Sequence, residues 1–201
     1  MLLQFLFFAA DKICYILYLL FGRKRAQKNF CHNKNILSDN RVNGKFISNQ
    51  KFFGNIRFGI KNVAYGGCAI VAAHNILTAA QKGKDFPILV RDFEKSALIF
   101  GIFGVSPRFL SRYLEKEGFE TTKLRGKKFV TDFCPMGQNL IVFYFRKDLS
   151  AHYAAGIYTS KNRYVFLNSH TSKPMSYAEY IKSLYEKEKP LYACILTIKT
   201  V

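Results

Sequence analysis

Acidic residues are scarce in this 201-residue chain, thirteen Asp and Glu against thirty-one Lys and Arg, which leaves a formal net charge of +18. Such a field favours anionic partners, whether membrane lipid, nucleic acid or acidic peptide, and charge alone does not choose among them. Tryptophan is absent while Phe and Tyr are abundant, a compositional bias to which no functional weight attaches. Cysteine is sparse: Cys14, Cys31, Cys68, Cys134 and Cys194 are scattered, odd in number and without a CxxC pair. That pattern argues against a disulfide framework and for a reducing compartment. The neighbours Cys31 and His32 have no second pair at ligand spacing, so a structural zinc is not expected. With 49% hydrophobic and 22% charged residues the chain is not of the disordered class, and its length suits one globular core with an appendage.

One long apolar run is present. Residues 1–21, "MLLQFLFFAADKICYILYLLF", are interrupted only by Gln4, Asp11, Lys12 and tyrosine hydroxyls, then break into "GRKRAQK". The length matches a bilayer core. A dozen Leu, Ile and Phe at about −0.3 to −0.6 kcal/mol each compete with two central charges at about +2.5 to +3.5 each, so insertion is near break-even. Gln4, Asp11, Tyr15 and Tyr18 form a narrow polar stripe that also fits a helix lying in the interface or packing on the globular body. The basic cluster Arg23, Lys24, Arg25 and Lys28 adds attraction to anionic lipid and places the following domain on the cytoplasmic side. The expected organisation is a membrane-associating helix with a basic flank over 1–28, a linker and entry hairpin over 29–54, and a globular domain over 55–201. A cleaved signal peptide fits poorly, because the positive charges follow the apolar run.

Within the domain, "CAIVAAHNILTAA" from Cys68 predicts a helix, as does the stretch from Pro87 to about Phe100. In "SPRFLSRYLEKEG", Ser106 caps, Pro107 takes the first turn and Gly118 ends the helix. The period then switches: "NLIVFYFR", "HYAAGIYT", "RYVFLNS" and "LYACILTIK" predict strands, with a last helix in "SYAEYIKSLYEKE". Helices first and strands afterwards indicate an α+β domain, helices packed on a mainly antiparallel sheet. The aromatic-basic stretch "KFFGNIRFGIK" could stack on bases, but it lacks an RNP pattern and a solvated β edge is the expected reading. No internal repeat is visible.

In "NVAYGGCA" a cysteine follows two glycines at the head of an apolar helix. A thiol in a first helical turn faces unpaired N–H groups and the positive end of the macrodipole, which lowers its pKa toward the thiolate. Gly66 and Gly67 leave no side chain over the sulfur, so a substrate backbone can approach. Of the four histidines, His74 lies six positions on, about 240° round the helix. His32 falls in the linker and His170 in a loop after a strand. His152 heads a strand, and Asn168 ends the next one, where a hairpin returns it beside His152. An Asn carbonyl there would fix the imidazole as the third member of a Cys-His-Asn arrangement. Taken singly, each residue has an ordinary structural role; together, in this order, they favour catalysis.

The stretches "NVAYGGCAIVAAHNIL", "NLIVFYFR", "AHYAAGI" and "RYVFLNS" resemble the papain-like cysteine peptidases, in particular the bacterial branch of bacteriocin leader peptidases that cleave after double glycine. The resemblance spans roughly residues 55–200. It implies a papain-like fold with the cysteine heading the central helix, Cys68 as nucleophile, His152 as base, Asn168 as orienting residue, and Asn62, six positions before the cysteine, as oxyanion donor. The chain departs from the family in carrying Asn62 where glutamine is usual, Gly67 where an acidic residue is frequent, and Ala69 in place of the familiar glycine. The implied chemistry is cleavage of a peptide amide through a thioester, with no metal or organic cofactor. Peptide or protein substrates and an anionic membrane surface are the expected partners. Amidase or acyltransferase chemistry, a catalytically silent scaffold or immunity-type protein, and a basic module binding nucleic acid or lipid are the alternatives.

Overall fold

The computed structural model describes residues 12–37, 42–102, 104–125, 137–148, 150–171 and 173–200. Residues 12–17 are helical and run through a π-helical turn, Tyr18–Gly22, into α1, Arg23–Ile36. The buried positions Cys14, Gly22 and Ala26 are spaced in multiples of four, which drifts away from a 3.6-residue period. The wider π turn takes up that drift and keeps one face inward. Helix α1 docks through polar contacts. The Asn29 carboxamide donates to the Gly59 carbonyl and to Glu94 Oε1, both at 2.9 Å. Asn33 exchanges two hydrogen bonds with the main chain of Arg57 at 2.8 and 2.9 Å. Residues 29–36 are therefore helix rather than the expected linker. The part of the apolar run before residue 12 lies outside the described residues.

A small hairpin follows, β1 Arg57–Phe58 with β2 Lys61–Asn62, then a helical turn, Val63–Gly66. Next come α2 Cys68–Ala79, α3 Phe86–Glu94 and α4 Pro107–Lys116. Ser106 Oγ accepts the Phe109 N–H at 3.2 Å, with Pro107 in the first turn, as the sequence predicts. The second half is β3 Phe119–Arg125, β4 Asn139–Phe145, β5 Ala151–Ser160, β6 Arg163–Leu167, β7 Met175–Ser176, α5 Tyr177–Glu188 and β8 Tyr192–Thr200. Six strands form one sheet in the order β3-β8-β4-β5-β6-β7, and every neighbouring pair is antiparallel.

The sheet is covered on both faces. Along β4, Ile141 and Phe143 belong to the core shared with α2, α3 and α4, while Leu140, Val142 and Tyr144 join the core under α5. This period-two division is why β4 is an almost continuous apolar run in sequence. Helix α2 is buried from Cys68 to Leu77, the hydrogen-bonded His74 and Asn75 included, and a helix buried on all sides sits in the centre of a domain. The result is a mixed α+β domain with the cysteine at the head of its central helix.

Candidate active site

The glycines before Cys68 serve packing. A Cβ on Gly66 would meet the Gly101 carbonyl oxygen, and one on Gly67 would lie 2.5 Å from Val63 Cγ1. The space over those glycines is already filled by the protein's own atoms, so their absent side chains do not open an approach for substrate. Gly67 allows the Val63–Gly66 turn to fold directly against the head of α2, and Gly66 allows the Gly101 carbonyl to pack on that turn.

Cys68 is only 5% exposed. Burial pushes its thiol up to about 11, against the downward pull of the N–H groups of Tyr153, Ala69 and Cys68 itself and of the Arg146 charge. The sequence-based expectation of a lowered pKa is corrected here. The helix terminus does act in the expected direction, but removing a thiolate from water outweighs a few backbone dipoles. The Tyr153 amide meets the sulfur near the start of β5, one position after His152.

His152 opposes Tyr144 in the β4–β5 register. Its Nε2 lies 2.5 Å from the main-chain oxygen of Asn168. A carbonyl only accepts, so Nε2 carries the proton and the neutral ring keeps its lone pair on Nδ1. Burial lowers the imidazole pKa, opposed by that hydrogen bond. Among the described residues no hydrogen bond joins Cys68 to His152, and both groups rest neutral near pH 7.

Asn168 is where it was expected, at the end of β6, yet a different atom faces the ring. Its φ of 55° lies in the left-handed region, which Asn tolerates better than most residues. That turn presents the main-chain oxygen to His152 and directs the carboxamide elsewhere. Oδ1 accepts the Gln50 N–H at 3.0 Å, and Nδ2 donates to Gln50 Oε1 at 2.9 Å and to the Tyr153 carbonyl at 3.3 Å. Gln50 also donates to the Ala64 carbonyl at 3.0 Å, so it ties Asn168 to the turn before Cys68. Sequence reasoning missed Gln50, which sits in a polar, turn-rich stretch where one buried amide gives no periodic signal.

Asn62 caps the Val63–Gly66 turn: its Oδ1 accepts the Tyr65 N–H at 3.0 Å. Its Nδ2 makes no hydrogen bond among the described residues and remains available as a donor. A further group missed in the sequence surrounds His152 on the α5 side. The buried Tyr144 ring lies 5.5 Å from the imidazole, centroid to centroid. Arg146 donates to Tyr144 Oη at 3.4 Å and forms an ion pair with Glu188 at 2.7 Å. Burial and the nearby Glu188 charge push the Tyr144 hydroxyl up to about 12 against the pull of Arg146, so it stays protonated.

His74 and His170 take no part in this constellation. His74 is fully buried with Nε2 on the Lys45 carbonyl at 2.9 Å, and His170 pairs with Ser183 Oγ at 3.0 Å. Among the described residues no cluster of His, Cys, Asp or Glu is arranged to hold a metal ion. A groove of about 880 Å³ runs past Lys12, Tyr15, Phe109 and Arg112; none of Cys68, His152 and Asn168 lines it.

No protein-family model matches the sequence, and no curated protein matches it. Among solved structures the chain is similar to the peptidase domain of Streptococcus ComA, a bi-functional ABC transporter involved in a quorum-sensing pathway. The TM-score is 0.47 and the identity 17%, over 68% of this chain and 93% of that one. Two peptidase-domain structures of Streptococcus mutans ComA, one with a small-molecule inhibitor, are similar at 15% and 16% identity, with TM-scores of 0.30, over 46% of this chain and 73% and 74% of theirs.

Proposed function

We propose that the protein is a cysteine peptidase-like hydrolase that cleaves a peptide amide with Cys68 as nucleophile and His152 as base. The observation that supports this reading is a proximity at the start of β5. A sulfur at the head of the buried central helix meets the N–H of Tyr153, and the residue before Tyr153 holds an imidazole whose Nε2–H is committed to Asn168, leaving Nδ1 as the basic atom.

In the reaction, Nδ1 takes the thiol proton as the sulfur attacks the substrate carbonyl, forming the C–S bond. The Cys68 N–H and the Asn62 Nδ2 donate to the oxyanion, each well-placed donor contributing about 3–4 kcal/mol. His152 returns the proton to the leaving amine, the C–N bond breaks, and water hydrolyses the thioester to the acid and free thiol. Because thiol and imidazole rest neutral, proton transfer belongs to the substrate complex rather than to a standing ion pair, in keeping with catalytic contacts that tighten on binding.

The test is a proteome-derived peptide library digested by wild-type protein and by Cys68→Ala and His152→Ala, with acid quench and intact mass to trap a thioester on Cys68. Cleavage and an adduct that need both side chains support the reading. A second reading, a catalytically silent domain of the same fold, is favoured by the thiol held near 11 and by the missing Cys68–His152 hydrogen bond. A folded protein that neither turns over nor acylates in that library decides for it. Transfer of the acyl group to an added amine in preference to water would make the enzyme an acyltransferase using the same residues.

A further inference from the structure

The N-terminal helical segment has two unlike faces. The inner one is fixed to the domain through Ala26, Asn29 and Asn33, so the outer one has a set orientation. On that outer face Ile13, Ile16, Leu20 and Phe21 are 57%, 55%, 67% and 66% exposed. The exposed cations Arg23, Lys24 and Lys28 follow directly. From Lys12 to Leu37 the sequence contains no Asp or Glu.

Four large apolar side chains projecting in sequence from a helix are costly in water, and isolated exposure does not account for their clustering. A second copy is a poor cover, because each copy carries a net charge of +18 and pairing would bring two like-charged bodies together. An apolar stretch running into a cationic one on a single helix is the pattern of an interfacial helix on anionic lipid. We infer that this face seats the protein on an anionic membrane surface. Ile13, Ile16, Leu20 and Phe21 enter the boundary between headgroups and acyl chains, and Arg23, Lys24 and Lys28 lie against the headgroups. In this arrangement the helix lies along the bilayer surface; no helix among the described residues is long and apolar enough to cross one. This inference is independent of the hydrolase reading.

The experiment is co-sedimentation of the full chain with vesicles of phosphatidylcholine and phosphatidylglycerol, compared with phosphatidylcholine alone, over a salt series. Binding to anionic vesicles that weakens with salt is expected. Each cation near the surface strengthens partition about fivefold, so Lys24→Gln with Lys28→Gln should weaken it roughly thirtyfold. Leu20→Ser with Phe21→Ser should weaken it about tenfold or more, with circular dichroism unchanged in both. Cys68→Ala should bind as wild type, which keeps a failure of the proposed chemistry separate from a failure here. The inference is overturned by folded wild-type protein that ignores anionic vesicles, by both double variants binding as wild type, or by light scattering showing a dimer that Leu20→Ser with Phe21→Ser abolishes. Preferential binding to a nucleic-acid duplex that displaces the vesicles would also overturn it.

Discussion

The ring of His152 is held by the main-chain oxygen of Asn168, while the carboxamide of Asn168 is occupied with Gln50, a residue 118 positions away. The carboxamide therefore positions the carbonyl by fixing the left-handed turn, and its removal acts first on stability. Asn168→Ala removes the hydrogen bonds to Gln50 and to the Tyr153 carbonyl and strains the backbone, at a cost of about 2–4 kcal/mol in urea unfolding. Asn168→Gly keeps the carbonyl and relieves the strain, so it should recover about 1 kcal/mol of that loss and retain more of any hydrolysis. A double-mutant cycle with Gln50→Ala should give a coupling of about 1–2 kcal/mol. Additive effects would show that the Gln50–Asn168 contacts do not hold the turn.

The two ends of the Asn62 carboxamide are separable: its oxygen caps a turn and its nitrogen is free to donate. Asn62→Asp preserves the cap acceptor and removes the donor. Stability should stay within about 0.5 kcal/mol of wild type, as carboxylate caps are equivalent to Asn, while kcat falls about a hundredfold or more from loss of an oxyanion donor. Asn62→Ala should lose both, including about 1 kcal/mol of stability. Equal kcat in wild type and Asn62→Asp would remove Asn62 from the oxyanion site and leave it a capping residue.

The local signals were legible wherever a short-range rule decided the structure. Ser106 and Pro107 open α4 as written, and Ser176 opens α5 through a reciprocal pair with Glu179. The apolar strands β4, β5, β6 and β8 follow their period. What escaped depends on distant partners. Strand β3 is a polar edge strand, "FETTKLR", legible only once β8 is known to pair with it. Helix α1 runs on through Asn29 and Asn33 because those amides satisfy main-chain groups of the β1–β2 hairpin, a form of burial that no hydrophobic pattern announces. In the site, the position of Cys68 on its helix was legible. Its pKa was not, because the helix terminus is a local effect and the burial that outweighs it is a property of the whole packed core.

A protonated, buried Cys68 has consequences in two measurements. Iodoacetamide labelling should rise about tenfold per pH unit from pH 7 toward 10 without a plateau, since the thiolate is the reacting form, and should lag behind the exposed Cys31 throughout. A plateau at or below pH 7 would instead reveal a standing thiolate-imidazolium pair. The folded thiol pKa of about 11 lies above the unfolded value, so the folded state holds its proton longer and this contribution is complete below about pH 8.5. It is lost as pH rises toward 11, amounting to about 3 kcal/mol. Urea unfolding at pH 8 and pH 10.5 should show wild type losing stability relative to Cys68→Ala over that window. Parallel curves would mean the thiol is not desolvated.

Arg146 and Glu188 act on His152 with opposite sign. The arginine lowers the imidazole pKa and the glutamate raises it. Their ion pair is partly solvated, so breaking it should cost only about 0–1 kcal/mol of stability. The effect belongs in the pH profile. If His152 must be neutral to accept the thiol proton, the acid limb of kcat/KM reports its pKa in the free enzyme. Glu188→Gln leaves the arginine charge unopposed and should move that limb to lower pH, whereas Arg146→Gln should move it to higher pH. A purely structural role for the pair would depress activity in both variants without displacing the limb in opposite directions. Opposed displacement at nearly unchanged stability would identify the titrating base as the ring that Tyr144 backs and Asn168 holds.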